Sequence, residues 1–299
     1  MPAPLLIADV PWLLYRSFFA LPKSIVGADG QPVNALLGTV NAILTFYDAR
    51  LSACPPDGVV ACMGADEADY RVSLYSPYHA HRDPMPPELR TQWEQAPALL
   101  DSLGWTFATD AELEADDVMF SFALAETQGR DHRNGRALLL SGDRDMYQAV
   151  NEQVAVVLPG KSGADPEEIG PAGVRERYGI DPELVTDFIA LRGDPSDGLP
   201  GAPGIGAKTA AELLRAHGTL EALLAAAERA DPALRPRTAA TLREHARLLR
   251  TFAHIATLQR IDVERPPDGG TDFAGGAAKA GELGMRRLAQ RLEGMIGAV

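Results

Sequence analysis

Short apolar runs that end on a polar or acidic residue recur through the first half of the chain. Leu5, Leu6, Ile7 and Ala8 run into Asp9; Val59, Val60, Ala61, Cys62 and Met63 run into Gly64, with Asp66 and Glu67 just beyond. Ala137, Leu138, Leu139 and Leu140 run into Ser141, Gly142, Asp143, Arg144 and Asp145. Such runs predict buried strands, with a shorter one at residues 105–108. Between them the spacing predicts helices over 34–50 and 88–103, and another opening on Glu114, Ala115, Asp116 and Asp117. Strands alternating with helices predict an α/β fold with a central, mostly parallel sheet covered on both faces. In such sheets ligands lie beyond the carboxyl ends of the strands, which is where Asp9, Asp143 and Asp145 fall.

The pattern changes after about Asp165. Helical spacing dominates over 174–178, 182–191, 206–217, 220–228 and 237–249, so a boundary is expected near Gly163. This divides the chain into 1–163, a helical region 164–260 and an extension 261–299. Residues 252–258 predict a late strand, followed by a Pro/Gly-rich loop and a final helix over 285–292.

Within the helical region, Asp194 and Asp197 lead into Gly198, Pro200, Gly201, Pro203, Gly204 and Gly206, and then a helix whose first side-chain cation is Lys208. Unpaired N–H groups at a Gly-rich turn and a helix N-terminus suit an anion, and Gly204 and Gly206 let it approach the main chain. A Walker A loop would need Gly-Lys-Ser/Thr after a strand; here Ala207 precedes Lys208 and a helical segment precedes the loop. A helix-hairpin-helix element, which grips a nucleic-acid phosphodiester without reading bases, fits better.

Composition narrows the partners. With 28 basic and 41 acidic residues in 299, the net charge of −13 has the wrong sign for a broad basic nucleic-acid surface. Acids concentrated where metal ions invert the local potential would reconcile the two. Cys54 and Cys62 have no zinc spacing and predict no disulfide framework, in keeping with a reducing cytoplasm. Residues 1–4 lack the features of a secretory leader, and no run approaches membrane-spanning length.

Eight acids then stand out: Asp9, Glu114, Asp116, Asp117, Asp143, Asp145, Asp194 and Asp197. Gathered without cations they would repel, so Mg²⁺ or Mn²⁺ is the natural counter-charge, and oxygen-only ligands argue against zinc. Two such ions would activate a water and stabilise the leaving oxygen of a phosphodiester.

Five collinear motifs carry a resemblance. They are Leu-Leu-Tyr-Arg-Ser-Phe-Phe-Ala-Leu-Pro at 13–22, His-Arg-x-Pro-Met-Pro at 81–86, Glu-Ala-Asp-Asp-Val at 114–118, Ser-Gly-Asp-Arg-Asp-Met at 141–146, and Gly-Asp-Pro-Ser-Asp through Gly-Ala-Lys-Thr-Ala at 193–210. Over residues 5–258 the chain resembles the bacterial 5′-3′ exonuclease and flap endonuclease family, including the nuclease domain of DNA polymerase I. The resemblance implies a PIN-like catalytic domain, a helix-three-turn-helix region and no polymerase following. It implies a first metal cluster of Asp9, Glu114, Asp116 and Asp117, and a second of Asp143, Asp145, Asp194 and Asp197. Arg82 matches a basic residue of an arch over the site, with Tyr78 beside it where a base could stack. Gly204, Gly206 and Lys208, with Thr209 next to them, match the turn that holds duplex DNA, together with a K⁺ ion. The implied substrate is DNA with 5′ flaps or ends at duplex junctions, cut by a monomer, with Arg82 and either Arg71 or Arg16 steadying the scissile phosphate.

The chain departs from the pattern in three places. Val10 and Pro11 follow Asp9 where the family has Gly, Gly64 stands where a metal-associated Asp is usual, and His79 replaces the arch lysine. Asp66 could substitute for the missing Asp only if the chain bends back by about 6.6 Å, two residues of strand rise. These departures would suit a weakened paralogue that binds branched DNA without efficient cleavage; retention of all eight acids favours the enzyme. An RNA-cleaving PIN-type nuclease would not need the 204–208 hairpin.

Overall fold

The computed structural model describes residues 3–48, 54–128, 135–160 and 165–297. Its first half alternates as the apolar pattern requires: β1 (Leu5–Asp9), α1 (Val10–Ala20), α2 (Asn34–Leu44), β2 (Gly58–Cys62), α3 (Asp69–Leu74), α4 (Pro87–Ser102), β3 (Thr106–Ala108), α5 (Ala115–Gln128), β4 (Ala137–Leu140), β5 (Val154–Leu158) and β6 (Glu167–Ile169). Then come α6 (Pro171–Tyr178), α7 (Val185–Arg192), α8 (Ala207–His217), α9 (Leu220–Glu228), α10 (Pro236–Ala256), α11 (Phe273–Glu282) and α12 (Arg286–Glu293).

The strands form one sheet in the order β3-β2-β1-β4-β5-β6, parallel except for β6. Asp9 is level with Cys62, and Ala8 with Leu140, so strand-end residues of β1, β2 and β4 share one edge. Side chains alternate between faces, as a period of two demands. Leu5, Ile7 and Leu139 pack with α5 and the helical region, whereas Leu6, Ala8 and Leu140 pack with α1, α2 and α4.

Several expectations need correction. Residues 252–258 are not a strand: Phe252, Ile255 and Ala256 are the buried face of the last turns of α10. The helix from Asn34 ends at Leu44 in a 3-10 turn, and its expected last residues, 49–50, lie outside the described residues, as does Gly163. The sheet continues past that point to β6. The C-terminal segment is no appendage either. Phe273, Ala277, Ala280, Leu288 and Leu292 of α11 and α12 join the core beneath α4.

Candidate active site

Asp9 ends β1 and caps α1: its Oδ1 accepts from the Trp12 backbone N–H (2.9 Å) and its Oδ2 from Ser141 Oγ (2.6 Å). Pro11 lies in the first turn of α1, where a missing N–H costs nothing, so the Val10-Pro11 departure leaves Asp9 in place. Asp116 sits in the first turn of α5. Asp143 and Asp145 follow β4, and Asp143 Oδ1 accepts from the Asp145 N–H (2.8 Å).

These four carboxyls are held well above the ordinary range. Burial is the main cause for each. Asp9 rises to about 6 against the opposing Ser141 and Trp12 hydrogen bonds, and Asp143 to about 7, with Asp197, Asp9 and Asp194 adding repulsion. Burial and then Asp143, Asp9, Glu114 and Asp145 raise Asp116; burial and then Asp143, Asp197 and Asp194 raise Asp145. Seven of the eight acids therefore share one field at the carboxyl edge of the sheet.

Asp117 differs. It is fully buried; its Oδ1 accepts from Arg71 Nη2 (2.8 Å) and from the Gln259 N–H (2.7 Å), while Oδ2 is buried without a hydrogen-bond partner among the described residues. Glu114 Oε2 pairs with Arg71 Nη1 (3.1 Å), and its Oε1 accepts from the Ala68 N–H (2.9 Å) and the Tyr78 hydroxyl (3.2 Å). Asp194 pairs with Arg192 (2.8 Å) and accepts from the Ser196 N–H and hydroxyl. Asp197 meets His79 Nε2 (3.2 Å) and Arg82 Nη2 (3.3 Å).

Three expected DNA contacts are instead interior residues. Arg71 is 3% exposed; besides Glu114 and Asp117 it donates from Nε to the Ile255 carbonyl (3.0 Å), tying α3 and α5 to the end of α10. It cannot also meet a phosphate. Tyr78 is buried, stacked on His79 and bonded to Glu114, so no base can stack on it. His79, buried with a positive φ, is committed to Asp197. Arg82 keeps its side chain half exposed, and Arg16 lies over the Trp12 ring with Nη2 donating to the Gly160 carbonyl (3.2 Å).

Asp66 is exposed, beyond the end of β2, and its charge acts on Tyr15 rather than on the four raised carboxyls. It does not bend back as substitution for the missing Asp required. Gly64 has its own reason. A Cβ there would lie 2.5 Å from the Leu113 carbonyl oxygen and 2.6 Å from the Ala115 nitrogen, the backbone that leads into α5. At the hairpin, Gly204 takes φ +79, and neither it nor Gly206 has anything in front of its Cβ direction; Gly206 caps α8, and Lys208 is exposed with Thr209 half buried beside it. Sequence reasoning missed Ser141, which donates to Asp9 from the end of β4, and Arg192, which pairs with Asp194 two residues on.

Among the described residues, no three His, Cys, Asp or Glu side chains converge tightly enough to enclose an ion by themselves. The donor set still fits Mg²⁺ or Mn²⁺. These ions bind through one or two carboxylates and retain water, and the four acids raised by burial and mutual repulsion, without an ion pair among the described residues, are the groups whose charge such an ion would offset.

The family model for the 5′-3′ exonuclease N-terminal resolvase-like domain matches residues 4–179, and that for the 5′-3′ exonuclease C-terminal SAM fold matches 180–268. A 5′-3′ exonuclease of Streptomyces coelicolor is 35% identical, covering 96% of this chain and 98% of its own. A thermostable DNA polymerase I of Thermus thermophilus is 36% identical over 96% of this chain but only 32% of its own length. Among solved structures, the phage T5 D15 flap endonuclease, in a complex with DNA and metal ions, matches with a TM-score of 0.63 at 18% identity over 98% of both chains. The catalytic core of Rad2 with DNA substrate matches at 0.61 and 12% identity, over 97% of this chain and 92% of that one. The acid-edged α/β sheet with its helical second region thus defines a nuclease, a hydrolase of phosphodiester bonds. The chain belongs to the 5′-3′ exonuclease family.

Proposed function

We propose that the chain is a divalent-metal-dependent 5′-3′ exonuclease and 5′-flap endonuclease that cuts DNA at duplex junctions, as a monomer in the cytoplasm. The observation that carries this is the set of four carboxyls, Asp9, Asp116, Asp143 and Asp145, gathered at the sheet edge and raised by burial, with no ion pair to any of them among the described residues. These four would hold two Mg²⁺ or Mn²⁺ ions, with Glu114, Asp194 and Asp197 contributing around them. When bound, such ions would supply activation of a water for attack on the phosphodiester and charge stabilisation at the leaving oxygen. Asp117 holds Arg71, and through it the end of α10, against the site. Arg82 reaches the scissile phosphate from the solvent side. Gly204, Gly206, Lys208 and Thr209 would grip the duplex backbone, and the turn would hold a K⁺ ion. Among the described residues no helix is long and apolar enough to cross a membrane.

The test is cleavage of an end-labelled 5′-flap duplex with Mg²⁺, Mn²⁺ or EDTA, beside Asp145→Asn. Metal-dependent product that the variant fails to make supports the reading. An intact flap in both metals, with the junction still bound, would replace it with the DNA-binding paralogue.

A further inference from the structure

Val10, Pro11 and Trp12 follow Asp9 where the family has Gly after the acid, and the fold gives that departure a use. Asp9 caps α1, and its Oδ1 accepts from the Trp12 N–H (2.9 Å). Pro11 fixes φ in the first turn, so the helix starts stiffly from the last residue of β1. Side chains of a helix lean toward its N-terminus, which here is the carboxyl edge of the sheet. The Trp12 indole, half buried, accordingly meets the loop that follows β4.

That loop carries Asp143 and Asp145, and Gly142 leads into it. The six-membered ring of Trp12 occupies the place a side chain at 142 would take: a Cβ there would clash with Cε2 and Cζ2 and lie 2.8 Å from Cη2. Gly142 is not among the glycines with a positive φ, so it is the ring, and not the backbone, that calls for glycine. Arg16, one turn further along α1, steadies the ring. Its guanidinium carbon lies 5.7 Å from the ring centroid, and its Nη2 is tied to the Gly160 carbonyl (3.2 Å). A second link joins the same two segments: Ser141 Oγ donates to Asp9 Oδ2 (2.6 Å) and accepts from the Asp143 N–H (3.0 Å). The loop has reason to move away, because Asp143 repels Asp116, and Asp9 repels both. Before a metal ion offsets that repulsion, contacts made by the protein itself must keep the acids together.

We propose that Trp12 is a positioning residue: its indole, laid on Gly142, clamps the loop bearing Asp143 and Asp145 against the helix that Asp9 caps, and so preforms the site for divalent ions. The inference rests on the nuclease reading and extends it to a side chain that touches neither metal nor substrate. A ring that only covered apolar surface would be indifferent to residue 142; here ring and glycine fit each other.

The test is the Mn²⁺ affinity of the full chain without DNA, by electron paramagnetic resonance, beside urea unfolding of the same variants. Trp12→Ala keeps the backbone N–H on Asp9 and removes only the ring, and its Mn²⁺ Kd should rise about 10-fold or more. Gly142→Ala pushes the ring off the loop and should also weaken binding. The Trp12→Ala/Gly142→Ala pair should bind no more weakly than Trp12→Ala alone, because the ring that the new Cβ would meet is gone. Trp93→Ala, which removes a half-buried indole of α4 packed on Tyr15, should leave the Kd unchanged. In flap cleavage, the Mn²⁺ concentration for half-maximal rate should rise with the Kd, while the KM for the flap stays at the wild-type value. A wild-type Kd in Trp12→Ala would overturn the clamp, as would additive losses in the pair or a raised flap KM at unchanged metal dependence. Should Trp12→Ala fail to fold, Gly142→Ala decides, and Mn²⁺ bound as tightly as by wild type overturns the clamp. Each of these results leaves the nuclease reading standing. A wild-type chain that neither binds Mn²⁺ nor cuts the flap would sink both.

Discussion

Two sets of acids share the edge of the sheet and differ in what faces them. Glu114, Asp117, Asp194 and Asp197 each have a cationic or ring-nitrogen partner within about 3.3 Å, supplied by Arg71, Arg192, His79 and Arg82. Asp9, Asp116, Asp143 and Asp145 have no ion pair among the described residues, and burial with mutual repulsion raises all four. Both sets are carboxylates. What separates them is whether folding has already supplied a counter-charge, and a motif cannot show that. The first set locks the loop and helix ends together; the second keeps its negative charge available for metal.

The sharpest way to break this division is to remove charge from each side. Arg71→Ala leaves Glu114 and Asp117 uncompensated in the interior and should cost about 3–5 kcal/mol of stability, read by urea unfolding. Asp145→Asn removes a repelled charge, so without divalent ions it should unfold no earlier than wild type. Its flap cleavage should nevertheless fall at least about 100-fold, beyond what loss of a supporting group around a metal costs. If Asp145→Asn destabilised the metal-free chain as Arg71→Ala does, the two sets would be one.

Proton linkage tests the cation-free set as a whole. A carboxyl raised in the folded state contributes stability below its unfolded pKa, and that contribution is lost as pH rises through the folded value. For Asp9, 4% exposed and raised from 3.8 to about 6, the change is up to about 3 kcal/mol. Asp143, raised to about 7, extends the loss to neutral pH. The Tm of the metal-free chain should therefore be higher at pH 5 than at pH 8. Mn²⁺ should raise it more at pH 8, because binding must displace the protons these acids hold at pH 5. An equal metal-induced shift at both pH values would contradict the assignment.

Gly64→Asp looks like repair of the family's pattern. The geometry predicts damage instead: the new Cβ meets backbone at 2.5–2.6 Å, and that backbone positions Glu114 and Asp116. A loss of about 1–3 kcal/mol is expected, with lower cleavage. A more active variant would show that the segment before α5 yields.

The strands were legible because each is a short apolar run, and the acids because they follow those runs. β5 carries the same signal, but no acid ends it, so reasoning from strand-end acids passes over it. Residues 252–258 read as a strand because the run is short and apolar. Only the longer register from Pro236 shows that Phe252 and Ile255 continue the buried stripe of α10. α11 contains Gly275, Gly276 and Gly281, weak helix formers whose cost is met by packing on α4, a tertiary effect no local pattern displays. Arg71, Tyr78 and His79 read as a basic, aromatic nucleic-acid surface for a similar reason. Their types are right for DNA, and only burial reveals that they serve Glu114, Asp117 and Asp197.

Arg82 is where the two sets come closest to exchanging roles. Its side chain is 48% exposed and its contact with Asp197 is 3.3 Å long, so the pair contributes little in water. Asp197 also keeps His79, whose backbone N–H donates to the Asp197 carbonyl (3.2 Å), so the loop stays anchored when Arg82 is cut back. Arg82→Ala should therefore shift stability by no more than about 1 kcal/mol, in urea unfolding at pH 7. It also removes an exposed cation beside Asp197, which would leave that carboxylate freer to meet an ion. Metal-induced stabilisation should be equal to or greater than in wild type, even as flap cleavage falls through loss of a phosphate contact. A variant with weaker metal response would put Arg82 among the groups that organise the metal site, and Asp197 firmly in the paired set.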